Sequence, residues 1–483
     1  MLLRSTLIYA PAILLTRVSA LLLLIIATRL IDQTEYGLLT LVATVGEMTD
    51  VAVTNWLRIA LLRLGGKGDV SHGSLVMAGR VLLATTALAL VVSVAVAALL
   101  VPERWIEFAI AVGAYLIAGS ASRFALTALQ MQQRHMAYSL LESLRALLQL
   151  ALPIASITVF PGSFFVVSIA SSLAVLIAGI VAGNLASRRV VAGPSRFTQK
   201  EFFALGLPLI IMALFGFGLN NAERMFLKVY YDASAVAIFA AAYALARQPI
   251  DMVANAINIG AFPEVVSRFD EQGPAAAGQF LSQLMALMIR LCLPVAALLI
   301  ALSDDITRLL LPAAYHGHFG KLFPIIAFSV LCANLTSFVY GDVVHAHKKP
   351  WLLIIANGVG SVATITLSLL LIPPLAAVGA GLALAGGSAA SLVACIVISE
   401  RLTHVPVPWR DIGLSIMIAA GTGLAASLMS AAAGALPVIF KLAGGGFAGG
   451  LVFLGLSAVF HPREARQIAA KLRSRLGSFG VRP

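Results

Sequence analysis

Arg17, Arg58, Arg247 and Arg290 stand inside long apolar runs. A charge held in a bilayer core costs roughly 2.5–3.5 kcal/mol even on lenient scales, so each must face protein or water. Arg17 sits in "PAILLTRVSALLLL" and Arg290 in "LMALMIRLCLPVAALL", with no acid within one helical turn of either. Such a cation needs a partner on another helix or an anionic ligand. The planar donor fork of arginine matches phosphate oxygens, which makes a diphosphate headgroup a reasonable guest. The other reading is an interhelical ion pair, with Glu47 or Asp50 as the partner of Arg17.

Two further sets recur at helical spacing. Glu47, Asp50, Thr54 and Arg58 fall three and four residues apart. So do Tyr243, Arg247, Asp251, Asn255 and Asn258. Each set predicts one polar stripe on one helix. The stripes read as walls of an aqueous cavity or as internal pairs that hold helices together, and Arg247 with Asp251 at i, i+4 suits the second reading. Glu142 with Arg145 reads as a local pair, and Glu223 with Arg224 as side chains that snorkel at a helix end. Other chemistry is set aside. The pairs His316/His318 and His345/His347 have no Cys or acidic cluster beside them to complete a metal site. "LAGGGFAGGL" lacks a following GK[ST] and reads as close helix packing. No nucleophile elbow or kinase-type signature occurs, so no enzyme is expected. Cys292, Cys332 and Cys395 lie in apolar runs without paired spacing, as packing residues would.

The elements that must position these residues are membrane helices. Of 483 residues 60% are hydrophobic and 11% charged, too apolar for a water-soluble fold of this length. Runs long enough to cross a bilayer fall near 7–30, 37–62, 75–101, 104–129, 138–160, 163–186, 203–227, 234–260, 282–302, 321–343, 351–372, 377–399, 412–433 and 438–460. The expectation is an all-α polytopic membrane protein with about 14 transmembrane helices. Basic residues cluster in alternate loops: Arg63 and Lys67, Arg134, Arg188 to Lys200, Arg268, Lys348 and Lys349, Arg401 and Arg410. The positive-inside rule places these loops and both termini in the cytoplasm. The net charge of +12 therefore reports topology and not nucleic acid. The tail from 461 to 483 carries Arg463, Arg466, Lys471, Arg473 and Arg475, with Ile468, Leu472, Leu476 and Phe479 at helical spacing. It reads as a helix on anionic lipid or as a solvated topology signal.

The halves look like one unit used twice. "ATRLIDQTEYGLLTL" and "LKVYYDASAVAIFAAAYALA" each run helix, polar turn with an Asp, helix, and Asp32 aligns with Asp232 at an offset of 200. Tyr138 and Trp351 open later helices 213 apart, and those helices are expected to end at Pro161 and Pro374. Tyr36 reads as an interface residue and Gly37 as the residue that lets the backbone turn. A parallel repeat follows: a six-helix lobe over 1–187, a cytoplasmic loop over 188–202, a second six-helix lobe over 203–402 and an extra helix pair over 403–460. Two such lobes suit alternating access.

These motifs resemble the bacterial polysaccharide flippases of the multidrug/oligosaccharidyl-lipid/polysaccharide exporter superfamily. "TRLIDQTEYGLLTLV", "NNAERMFLKVYYDASAVAIFAAAYALA" and "IPPLAAVGAGLALA" carry the resemblance. It implies a transporter of the bacterial inner membrane that moves undecaprenyl-diphosphate-linked oligosaccharide for O-antigen, capsule or exopolysaccharide export. The expected partners are that cargo and the polysaccharide polymerase and export machinery. Arg17, Arg58, Arg247 and Arg290, with Asn255, match the character of the family's cationic cavity. Glu47, Asp50 and Asp251 could bind a coupling Na+ or H+, or neutralise the arginines; membrane potential is the other drive. No other cofactor is implied. A cation-coupled multidrug exporter on the same fold is the nearest rival, and a membrane-embedded polymerase or glycosyltransferase a more distant one.

Overall fold

The computed structural model describes residues 2–66, 68, 70–460 and 462. Lys67 and the basic tail residues named above lie outside them. The chain is almost wholly helical: α1 (Leu2–Leu30), α2 (Gln33–Asp50), α3 (Trp56–Leu64), α4 (His72–Leu100), α5 (Trp105–Met131), α6 (His135–Val159), α7 (Phe164–Ser187), α8 (Gln199–Tyr230), α9 (Ala233–Gln272), α10 (Pro274–Ala301), α11 (Ser303–Leu310), α12 (Phe319–Leu335), α13 (Gly341–Ala346), α14 (Leu352–Glu400), α15 (Trp409–Ala432) and α16 (Val438–Phe460). Among the described residues, eleven helices are long and apolar enough to cross a membrane, and the protein is a multi-pass membrane protein.

The expected runs meet these helices unevenly. The run 37–62 is split by a π-helical turn at Val51–Asn55 between α2 and α3. The runs 351–372 and 377–399 share the 49-residue α14. A helix ending at Pro374 is expected, and α14 is two helices joined at a kink at Ala376, two residues past Pro374, whose φ of 48° is left-handed. A Pro pair removes two backbone donors, which favours a bend there. The segment 303–320 contains α11 and a 3-10 turn at Ala313–Tyr315.

Contacts divide the chain into two compact units, Met1–Leu245 with Pro350–Ala394, and Ala246–Lys349 with Cys395–Pro483. In unit 1, α5 packs on α7, α1 on α6 and α6 on α7. Local chemistry sets the helix starts. Asp32 accepts from the Thr34 amide at 2.9 Å and Asp232 from the Ala235 amide at 2.8 Å, so the two aligned acids do the same capping work. Ser71 caps α4, Ser163 caps α7, and Thr198 with Glu201 forms a capping box on α8. Gly37 lies inside α2 and not in a turn: a Cβ there would overlap the Ala233 carbonyl. Its neighbour Tyr36, expected at the interface, is buried. Gly37 thus lets the α2 backbone close on the start of α9 at Ala233.

Both ends of unit 1 are tied. At one end Glu35 pairs with Arg104 and accepts from the Phe164 amide at 2.8 Å; Arg104 also bonds Glu107 at 2.6 Å and lies 4.6 Å over the Phe164 ring. Three connections, near 32–35, 101–104 and 160–163, meet there. At the other end β1 (Val70–Ser71) pairs with β2 (Val190–Val191), Gly73 donates to Gly193 O at 3.0 Å, and the Arg196 amide donates to Ser74 Oγ at 3.0 Å. Trp56 packs against Phe202 in a tilted arrangement, centroids 5.3 Å apart. Glu35→Ala is expected to lower stability by about 1–3 kcal/mol, because it frees a buried amide and a half-buried guanidinium together. Thermal unfolding of the purified protein checks it; Glu35→Gln should keep part of the loss from appearing.

In unit 2, α10 packs on α12 and α15, and α15 on α16. The glycine-rich stretch is interior to α16, and Gly445 and Gly449 lie against the carbonyls of Ala426 and Thr422. Close helix approach explains them. The three cysteines are buried and unbridged.

Candidate functional site

The densest charge in unit 1 gathers on α2, α5 and α6, with Arg17 on α1. Asp50 is the last residue of α2 and only 1% exposed. It pairs with Arg123 of α5, and its other oxygen accepts from Thr54 Oγ1 at 2.8 Å. Thr54 also meets Ser120 Oγ at 3.3 Å. The π turn places Thr54 within reach of Asp50 and adds a residue to the helix. Everything after it is rotated by about 100°. The expected straight stripe of Glu47, Asp50, Thr54 and Arg58 is therefore broken. Glu47 is exposed, Asp50 and Thr54 are buried, and Arg58 is half-buried beyond the turn. The sequence-level partner of Asp50 was Arg17; its partner in the structure is Arg123.

Arg145 is the second centre. Its Nε and Nη2 donate to Glu142 Oε2 at 3.2 and 2.5 Å, and its Nη1 donates to Gln149 Oε1 at 2.6 Å. The local pair expected from sequence is thus formed. It is also more than local. Arg145 and Glu142 line a cavity of about 170 Å³ with Tyr115, Arg123, Gln149 and Ser172. The same two residues line a larger cavity of about 520 Å³ with Arg17, Thr16, Gln130 and Tyr138. Arg17 makes no ion pair among the described residues. Glu47 lies within electrostatic reach of Tyr115 and Arg123. A guanidinium has five N–H donors, and Arg145 commits three, so two remain for a guest. Among the residues that line the two cavities, Arg17, Arg123 and Arg145 outnumber the single acid Glu142, so the lining favours an anion, with Glu47 and Asp50 set back from it.

Two of these residues escape a reading of the sequence. Arg123 meets the criterion that singles out Arg17, an isolated charge in an apolar run. Its acid partner, Asp50, lies on another helix 73 residues earlier. Arg145 is hidden by its own neighbour Glu142.

Glu223 and Arg224 also differ from expectation. Glu223 is 0% exposed, and Arg224 reaches Thr44 Oγ1 at 3.4 Å and lies 5.1 Å over the Tyr243 ring. They are interior, not snorkelling. One turn earlier on α8, Gly218 lies against Ser361, and Thr364 Oγ1 donates to Leu219 O at 3.3 Å. The α8 backbone is drawn tightly against α14 there.

In unit 2, Arg247 Nε donates to Asp251 Oδ2 at 2.8 Å. Asn334 Nδ2 donates to Asp251 Oδ1 at 3.1 Å, and Asn255 Nδ2 to the Asp251 carbonyl at 2.6 Å. Asp251 is thereby satisfied on both oxygens, the internal-pair arrangement. Arg290 is half-buried on α10.

A profile of the family described as polysaccharide biosynthesis protein matches residues 2–269. Among solved structures, the chain is similar to the lipid II flippase MurJ in an inward closed conformation. The identity is 14% and the TM-score 0.68, over 95% of this chain and 99% of that one. It is similar to a MOP superfamily transporter from Pyrococcus furiosus at 13% identity and TM-score 0.54, over 83% and 94%. An outward-facing multidrug resistance MATE family transporter of the MOP superfamily matches at 14% identity and TM-score 0.50, over 83% and 94%. These likenesses establish a shared fold. No curated protein matches the chain in sequence.

Proposed function

This chain belongs to the polysaccharide biosynthesis protein family, and from that premise we propose that it is a flippase for undecaprenyl-diphosphate-linked oligosaccharide. The reading places it in the bacterial inner membrane with both termini cytoplasmic, serving O-antigen, capsule or exopolysaccharide export by alternating access. Polysaccharide polymerase and export machinery would act beside it. The observation that carries the proposal is Arg145, with two uncommitted donors, on the wall common to two cavities that also hold Arg17 and Arg123. Two phosphates present the paired oxygens that such forks bind. The lipid chain needs no pocket of its own if it stays in the bilayer while the charged head crosses. A Na+ or H+ gradient or the membrane potential would supply the drive, with Glu47, Asp50 and Asp251 as the acids available for coupling. An exporter of cationic drugs would call for surplus carboxylates, and this lining has surplus guanidinium.

Deletion of the gene in its host tests the proposal. Loss of surface polysaccharide, with the lipid-linked oligosaccharide trapped on the cytoplasmic leaflet, is the expected result. Unchanged polymer and unchanged lipid-linked pools, in a strain lacking other flippases, would overturn it.

A further inference from the structure

We propose that α4, α5 and α7 hold one anionic phospholipid on the lipid-facing side of unit 1, its hydrocarbon chain in a groove and its phosphate on Arg80. The groove has a volume of about 570 Å³, and Arg80 is the one charged residue in its lining. Its floor is made of Gly79, Gly183, Ala121 and Ala125. Two of its glycines are not demanded by helix packing. A Cβ on Gly79 would meet nothing nearer than Phe124 Cζ at 3.9 Å, and one on Gly183 nothing nearer than Ala125 Cβ at 3.9 Å. The absence of a Cβ at both leaves the groove open along its length. Gly179 differs: a Cβ there would stand 2.8 Å from Ser122 Cα, so its smallness serves α5.

The surroundings identify the occupant. Leu83 is 72% exposed and Ile180 55% exposed on the groove walls, which suits hydrocarbon and not water. The 29 residues of α4 span about 43 Å, some 13 Å more than a bilayer's hydrocarbon core. Arg80, the ninth residue of α4, then has its Cα a few Å inside the hydrocarbon and its guanidinium within reach of the headgroup layer. It is exposed and has no ion pair among the described residues. A chain-shaped apolar groove with one unpaired cation at headgroup depth complements an acyl chain joined to a phosphate. A second copy of this chain is the other possible occupant, since Gly179 and Gly183 form a G-x-x-x-G pattern. Gly179 is already spent on Ser122, which argues against it.

Native mass spectrometry of the purified full-length protein tests this, with phosphatidylglycerol and phosphatidylcholine of matched chains. The wild type should retain one phosphatidylglycerol with about fivefold preference over phosphatidylcholine. Arg80→Gln should bring that preference to parity, and this exposed substitution removes no packing. Gly183→Leu should lower retention of both lipids, and Gly79→Leu serves in its place if that variant does not fold. Equal preference in wild type and Arg80→Gln would overturn the proposal. So would undiminished retention in the glycine variants, or a dimer that Gly183→Leu dissociates.

Discussion

Replacing Arg123 with methionine is expected to cost the fold about 3 kcal/mol, and adding Asp50→Asn to the same chain should return most of it. Asp50 is the buried member of the pair, with one further hydrogen bond, from Thr54. Removing Arg123 strands a carboxylate in a site closed by α2 and α5. Removing both charges leaves a neutral amide that still accepts from Thr54. The asymmetry is the point of the experiment: a pair that merely decorated a surface would show small and additive effects. Thermal unfolding of the single and double variants in one detergent decides it. The double variant should fold well and yet export poorly, because the guanidinium lost from the cavity is not replaced.

Arg145→Ala is expected to reduce export of the lipid-linked oligosaccharide by at least tenfold. A charge-assisted hydrogen bond is worth about 1.5–3 kcal/mol, and one fork can supply two of them to a diphosphate. Arg145→Lys should recover only part of the activity, since an ammonium cannot hold Glu142 and Gln149 and still present two donors in one plane. Arg17→Ala should show a comparable loss with less effect on stability, as Arg17 has no described ion pair to break. Surface polysaccharide in complemented deletion strains, normalised to protein level, measures all three. Equal export by well-expressed Arg145→Ala would remove this site from the transport path.

What could be read in the sequence was local. Hydropathy located the apolar runs because each run carries its own signal. Asp32 and Asp232 were legible because a cap acts within two or three residues. The repeated use of one connection shows the same locality: Gln133 and Lys348 are both left-handed, each closing the helix before it with the same backbone bonds. What escaped depends on residues far apart in the chain. Nothing in the spacing of Asp50 and Arg123, 73 residues apart, announces that they meet. The π turn at Val51–Asn55 has no compositional mark, so a stripe drawn with α-helical spacing ran on where the helix does not. Gly37 was visible as a glycine, but its reason, the Ala233 carbonyl, lies in another helix. Glu223 reads as a helix-end charge from sequence because α8 runs on past it to Tyr230 and its neighbour Arg224 turns to Thr44, 180 positions earlier.

The fastening of unit 1 at both ends has a mechanical consequence. A bundle whose helices are pinned by the Glu35–Arg104 cluster at one end and by the β1–β2 pairing at the other resists internal shear. Load applied to any one helix is shared by its neighbours and travels along the bundle without being absorbed in it. Deformation then concentrates where the chain enters and leaves the stiff body, within α9 near Leu245 and at Pro350 and Ala394. The compliance of this protein would be set at those few crossings, which makes them the places where a crosslink should arrest motion while leaving the cavity's chemistry intact.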